Sequence, residues 1–269
     1  MQTIECFGPD HRLVGVLNGD PVSMGPVLVL PNAGLVPRAG PFRLHVEIAR
    51  RLESRGVRTF RFDLPGVAEA PHLAGIDARA ATRAALDHLA ARGITTRFIV
   101  GGVCSAADRG WIAAIDDARV VGVLLLDGVC FTGPWFQLAR IAGVLARPPR
   151  EWLKVVRRRA GAIASRADAV PATAAYRDWP TRSQARTQLR ALLARDVRAM
   201  FVYTRGITDY FRHPRQFAWS FGRAARDPRV TVHYWADCDH TFYARFARER
   251  LLAALEEWCT AFNDAGARA

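Results

Sequence analysis

One lysine, Lys154, stands among 38 basic residues, and the five cysteines (Cys6, Cys104, Cys130, Cys238 and Cys259) are odd in number and scattered, with no close pair. A disulfide framework is therefore not expected, and the spacing suits a reducing compartment that leaves room for a working thiol. No apolar run approaches the roughly 18 residues that a membrane helix needs. Met1 to Val16 alternates polar and apolar residues where a secretory leader would show a continuous apolar core, so a cytoplasmic location is expected. No window repeats at a fixed period, which sets aside solenoids and collagen. Zinc-ligand pairing, a helix-turn-helix signature and an aromatic-basic RNA motif are all missing, and Cys238-Asp-His240 lacks a second ligand pair. Nucleic acid is thus not expected as a partner, and neither metal nor cofactor is implied.

What is present is an ordinary globular composition: 269 residues, 50% hydrophobic and 23% charged. That is enough to fill one large α/β core. The net charge of +13 creates a positive field that attracts acidic partners.

The alternation of Thr3 to Phe7 and Leu13 to Leu17, broken by Gly8, Pro9 and Asp10, predicts an antiparallel hairpin. Val27 to Leu30 reads as a buried parallel strand and runs into a Gly/Pro-rich loop from Pro31 to Pro41. Leu44, Ile48, Ala49 and Leu52 share one helical face before Gly56. The rhythm continues with strand Val57 to Phe62, a helix from about Asp77 to Ala91, strand Phe98 to Val103, helix Ser105 to Ile115 and strand Val120 to Leu126. Strands alternating with helices imply a mostly parallel, doubly wound sheet. From about Gly128 to Arg195 the pattern is helical and rich in proline and arginine, with no convincing strand. Residues 128–195 therefore read as an inserted helical cap, and 1–127 with 196–269 as the core. The core resumes with strand Ala199 to Tyr203, a helix near Gln216 to Ala225, strand Val230 to Trp235 and a terminal helix from Phe242 to about Phe262.

The most informative segment is Phe98-Ile-Val-Gly-Gly-Val-Cys-Ser-Ala-Ala-Asp, in which a strand passes directly into a helix through small residues. A nucleophile on such a strained turn needs small residues two positions to either side. With Cys104 as nucleophile the flanks are Gly102 and Ala106; with Ser105 they are Val103 and Ala107, and a β-branched valine suits the turn poorly. Cys104 is favoured, against the alternative of a cysteine merely buried at a strand end. A thiol nucleophile needs a base, and His240 lies in a polar loop between the last strand and the last helix, where it emerges at the carboxyl edge of the sheet. Of the others, His45 and His213 included, His11, His72, His88 and His233 sit in positions with blander readings. Two residues can orient the imidazole: Asp209, in the loop after Ala199 to Tyr203, and Asp127, which ends the preceding strand. Asp209 is favoured, because an aspartate directly after a strand is also common for capping.

Pro31-Asn-Ala-Gly-Leu-Val-Pro-Arg-Ala-Gly-Pro-Phe-Arg-Leu, Arg61-Phe-Asp-Leu-Pro-Gly, Gly102-Val-Cys-Ser-Ala, Val121-Gly-Val-Leu-Leu-Leu-Asp, Phe201-Val-Tyr-Thr-Arg-Gly and Asp239-His-Thr-Phe together resemble an α/β-hydrolase. More narrowly, they resemble the hydrolases associated with exosortase and exopolysaccharide gene clusters. The resemblance implies an α/β-hydrolase fold, with Cys104 as nucleophile, Asp209 as acid and His240 as base. It also implies an oxyanion hole of backbone N–H groups, one from Ser105 and one from Ala33 or Gly34. Two positions depart from the pattern: Ala106 stands where glycine is usual, and Gly66-Val-Ala-Glu replaces Gly-x-Gly-Asp.

The expected chemistry is hydrolysis of an ester or thioester by nucleophilic acyl transfer. A thioester acyl-enzyme can also pass its acyl group to an amine, alcohol or thiol, so an acyltransferase is the competing reading. A basic non-catalytic binding module is a third. Asn32, Arg38, Trp135 and Trp152 are expected at the substrate, with Trp179 and Phe136 among the cap aromatics that could roof an apolar pocket. Arg147, Arg150, Arg157, Arg158 and Arg159 cluster in the cap, while Arg38 and Arg43 flank the oxyanion loop. A solvated face is the simple reading of such a run; docking of an acyl carrier protein or of a coenzyme A phosphate is the functional one.

Overall fold

The continuous apolar runs become the centre of one sheet, because strands covered by helices on both faces have no polar side to show. A computed structural model describes residues 1–146, 148, 177 and 179–266, apart from the side chains of 264–266. Eight strands stand in the order β1-β2-β4-β3-β5-β6-β7-β8. They are β1 (Gln2–Phe7), β2 (Leu13–Asn18), β3 (Val27–Pro31), β4 (Thr59–Phe62), β5 (Phe98–Val103), β6 (Val120–Leu126), β7 (Arg198–Thr204) and β8 (Val230–Trp235). The entry hairpin pairs Phe7 with Leu13, and β2 lies antiparallel to β4. Every later pairing is parallel.

From β3 the chain moves outward to β4 and then returns past β3 to β5. The direction of winding thus reverses between β3 and β5, and a crevice opens at their carboxyl ends. Helix α1 (Leu44–Glu53) covers one face with the terminal helix α7 (Arg245–Gly266). Helices α2 (Ala78–Ala91) and α3 (Ser105–Asp116) cover the other. The α1 stripe is buried as its spacing predicts, with His45 buried beside Leu44, Ile48, Ala49 and Leu52. Helix α2 starts where Asp77 accepts the Ala80 N–H at 2.7 Å, and its small Ala81 and Ala85 let the helix sit close on the sheet.

Between β6 and β7 the described residues hold α4 (Pro134–Leu145) and α5 (Arg182–Ala194). Helix α5 opens with a reciprocal capping box between Thr181 and Gln184 and buries Ala185, Leu189, Leu192 and Leu193 in the main core. This end of the expected cap is therefore packed on the sheet-flanking layer. Arg147, Arg150 and Arg157 to Arg159 lie outside the described residues. Two of the boundaries that differ from the sequence reading have a visible cause. The terminal helix begins at Arg245 because the Asp239 carboxylate accepts the Thr241 and Tyr243 N–H groups at 2.8 and 3.0 Å, holding the chain in a turn. Helix α6 (Arg215–Phe221) stops at Gly222, whose φ of 65° is left-handed, and the chain continues as a 3-10 turn to Arg226.

Candidate functional site

Cys104 occupies the corner between β5 and α3, with φ 57° and ψ −120°. Left-handed backbone at a cysteine costs on the order of 1–3 kcal/mol and persists only where the surroundings impose it. They do so here. Cys104 N–H donates to Leu126 O on the neighbouring strand at 2.9 Å, and its own carbonyl accepts the Ala107 N–H at 3.0 Å. The need for small flanks is visible as well: a Cβ on Gly102 would lie 3.0 Å from the Ala106 Cβ, at a φ of +145°. Ser105, the rival register, is the first residue of α3, and its Oγ accepts the Gly34 N–H at 2.9 Å.

His240 reaches the thiol from the loop after β8, and Gly206 permits the approach, since a Cβ there would sit 2.4 Å from the His240 backbone nitrogen. One ring nitrogen, Nδ1, donates to Asp127 Oδ2 at 2.6 Å, and the ring also interacts with the Cys104 thiol. Asp127 is fully buried. Its Oδ1 accepts the Thr204 N–H and its Oδ2 the Thr204 hydroxyl, each at 2.7 Å. These bonds fix the carboxylate before histidine is considered.

The structure thus brings Asp127, not the favoured Asp209, to His240. Asp209 is exposed on the loop after β7, and its neighbour Tyr210 is the residue that turns inward. The physical reason lies in sheet order. Strand β6 stands beside β5, so a side chain at its carboxyl end is already next to the elbow, whereas the loop after β7 must cross back over Thr204.

Tyr210 donates its hydroxyl hydrogen to Asp127 O at 2.7 Å, and Arg177 completes the arrangement. One guanidinium donates to Cys104 O at 2.9 Å, to Asp127 O at 3.0 Å and to the Tyr210 hydroxyl at 2.9 Å. Its remaining edge forms a bidentate pair with Asp108, at 2.6 and 2.8 Å, and Trp179 Nε1 donates to the same carboxylate at 2.8 Å. Trp179 also lies against the Arg177 cation, 4.5 Å from it. Both members of the ion pair are buried. A single side chain therefore holds the backbone carbonyls at 104 and 127 in register. Sequence reading passed over Arg177 as one arginine among many, although the buried-helix position of Asp108, three residues past Ser105, was a usable signal.

The electrostatics follow from these contacts. At Cys104 burial raises the thiol pKa, but it is outweighed by the His240 hydrogen bond, the positive charges of Arg177 and His240 and the Ser105 N–H, and the net shift is downward. At His240 burial favours the neutral ring, yet the bonds to Asp127 and Cys104 carry the pKa up to about 9. The same contact thus favours the charged forms of both groups, the thiolate and the imidazolium. Other thiols behave differently: burial pushes Cys130 and Cys259 up to about 12 and Cys238 up to about 11.

The remaining sequence candidates have other partners. Asn32 is fully buried; its Oδ1 accepts the Leu64 N–H at 2.8 Å and its amide donates to Gly34 O at 2.7 Å, which braces the loop after β3. Ala33 sits in that loop, bridged to Val36. The Arg38 guanidinium is paired with Asp63 and with Glu69. Trp135 stacks on His213 at 5.2 Å, beside the start of α6, and is half-buried there. Trp152 lies outside the described residues. Among the described residues no three His, Cys, Asp or Glu side chains form a metal-binding group, and no helix is long and apolar enough to cross a membrane.

No family model matches the sequence, and no curated protein matches it. Solved structures do match. An esterase from Pyrococcus furiosus is similar over 97% of this chain and 90% of its own, with a TM-score of 0.60 at 12% identity. Mouse α/β-hydrolase domain-containing protein 10 is similar over 95% and 97%, with a TM-score of 0.55 at 14% identity. A dienelactone hydrolase from Anabaena variabilis is similar over 93% and 92%, with a TM-score of 0.54 at 13% identity. Together with the sheet order and the elbow between β5 and α3, these likenesses establish that the chain has the α/β-hydrolase fold.

Proposed function

We propose that the protein is a hydrolase of esters or thioesters that works through Cys104, His240 and Asp127. The observation that carries this reading is the buried Asp127 carboxylate 2.6 Å from His240 Nδ1, on a ring whose contact with Cys104 lowers the thiol pKa. Names of the similar structures, an esterase and a dienelactone hydrolase among them, agree with carbonyl chemistry at such a site. The narrower likeness to exosortase- and exopolysaccharide-associated hydrolases rests on the sequence motifs.

In the reaction, the Cys104 thiolate attacks the carbonyl carbon and the carbon–oxygen π pair moves to oxygen. Ser105 N–H meets the oxyanion. The second donor comes from Ala33 or Gly34 in the loop after β3, which the Gly34 N–H ties to Ser105 Oγ; losing such a donor costs on the order of 3 kcal/mol. Collapse breaks the bond to the leaving alcohol or thiol, which takes its proton from His240. The acyl group now rests on Cys104 as a thioester. His240, again neutral, removes a proton from water as the water oxygen attacks, and release of the acid restores the thiolate and the imidazolium. Asp127 keeps the ring in its productive tautomer throughout. An amine, alcohol or thiol in place of water would make the same machinery an acyltransferase, with coenzyme A or an acyl carrier protein as the donor.

Intact-mass spectrometry after mixing with an activated thioester tests the reading. An acyl adduct on the native protein, absent from Cys104→Ala, is the expected result; discharge into water marks a hydrolase, and discharge only on adding an acceptor marks a transferase. An adduct that survives Cys104→Ala contradicts the assignment.

A further inference from the structure

A recess of about 360 Å³ lies between α1, the β1-β2-β4 side of the sheet and the end of the loop after β3. Four arginines converge on it. Arg50 projects from α1 and Arg43 from the residue that precedes its first turn, and both side chains line the recess. Arg38 comes from the loop, and Arg61 rises from β4 opposite Val16. Strand alternation explains Arg61: Phe60 and Phe62 point into the core packed with β1, which leaves Arg61 on the opposite face of the sheet.

Arg61 is 4% exposed. Its Nη2 donates to Asn18 Oδ1 at 3.0 Å, while its Nε is buried with no hydrogen-bond partner. Among the described residues it forms no ion pair, and neither do Arg43 and Arg50. Glu69, the one carboxylate among the lining residues, is paired with Arg38, which also pairs with Asp63. Burial, followed by the like charges of Arg38, Arg43 and Arg50, depresses the Arg61 pKa, which is the signature of a cation lacking its counter-charge. A buried charge left uncompensated is costly, so an arrangement of this kind calls for an anion from outside.

We propose that this recess binds a phosphoryl group, held by Arg61 from below and by Arg43 and Arg50 from the rim. Three guanidiniums without carboxylates suit a dianion with three acceptor oxygens better than a single carboxylate, and guanidinium geometry matches phosphate in bidentate fashion. The volume leaves room for part of whatever carries the phosphate. Position relative to the elbow connects the two regions. Gly34 touches Ser105, and Arg38 lies four residues further along the same loop, a span of at most about 14 Å. A phosphate carried on the substrate would thus lie one loop away from the acyl carbon. That link alone rests on the proposed acyl chemistry; the binding of phosphate does not.

The experiment is isothermal titration of inorganic phosphate and pyrophosphate into the full-length Cys104→Ala protein, in which binding is read without turnover. Saturable binding at one site, weakened at least about tenfold in Arg43→Gln/Arg50→Gln, is the expected result. Arg61→Gln should abolish binding if it folds; the rim double variant, altered only at exposed side chains, keeps the test decisive if it does not. Arg223→Gln/Arg226→Gln, at a distant surface turn, serves as the control for loss of general positive charge. Non-saturable heats, or equal affinity in the rim and control variants, would overturn the proposal. Competition of coenzyme A with pyrophosphate, with none from pantetheine, places the phosphate on the substrate; pyrophosphate binding that coenzyme A leaves untouched identifies a site for free phosphate. Because Cys104→Ala carries no chemistry, a null titration leaves the acyl-enzyme experiment standing, and the converse also holds.

Discussion

The elbow network and the arginine recess are both buried and charged, yet they are built in opposite ways. Around Cys104 every charge has a partner: Arg177 faces Asp108, His240 faces Asp127 and the thiol faces His240. In the recess Arg61 has only an asparagine. Complete pairing suits groups whose charge must be held in place while protons move, because each partner limits how far the others can shift. A missing counter-charge suits a place that something else completes. Substitutions at the elbow should therefore alter chemistry and stability together, whereas those at the recess rim should alter binding alone.

The largest effect is expected for Asp127→Asn, which keeps the shape but removes the negative charge that faces His240. kcat with a thioester substrate should fall on the order of 10⁴-fold, with KM little changed. Next comes Asp108→Asn, which leaves Arg177 as an unpaired buried cation. Urea unfolding should show a loss of about 3–5 kcal/mol. The double variant Arg177→Met/Asp108→Asn sharpens the comparison. It should recover most of that stability, since neither charge is left alone, while the Cys104 thiol pKa stays above its native value because Arg177 no longer faces it. The smallest effect belongs to Asp209→Asn, an exposed change, which should stay within about 0.5 kcal/mol in stability and close to native in turnover. A large loss of kcat there would return Asp209 to the site.

Much of this architecture was readable in the residues. Apolar runs such as Val27 to Leu30 and Val120 to Leu126 have few alternatives to buried strands, and the Gly102/Ala106 spacing around Cys104 marks a steric requirement that local sequence must meet. His240 was accessible for a related reason, since a polar loop after the last strand has one edge of the sheet to face. The acid was harder. Asp127 and Asp209 both follow strands, and what separates them is the Thr204 N–H and hydroxyl that hold Asp127, contacts made 77 residues apart in the chain. Arg177 was harder still, because its role is defined by two carbonyls and a carboxylate from three different elements, and nothing in its own neighbourhood announces them. Trp135 shows the reverse case: an aromatic at the expected cap that packs on His213.

The most direct test of the central claim is the rate of Cys104 alkylation by iodoacetamide as a function of pH, in the native protein and in His240→Ala. The structure predicts a midpoint below the ordinary thiol value of 9.0 in the native protein. In His240→Ala the midpoint should move upward, with the rate falling roughly tenfold for each pH unit below it. Identical profiles in the two proteins, both centred near the ordinary thiol value, would contradict a thiolate held by His240.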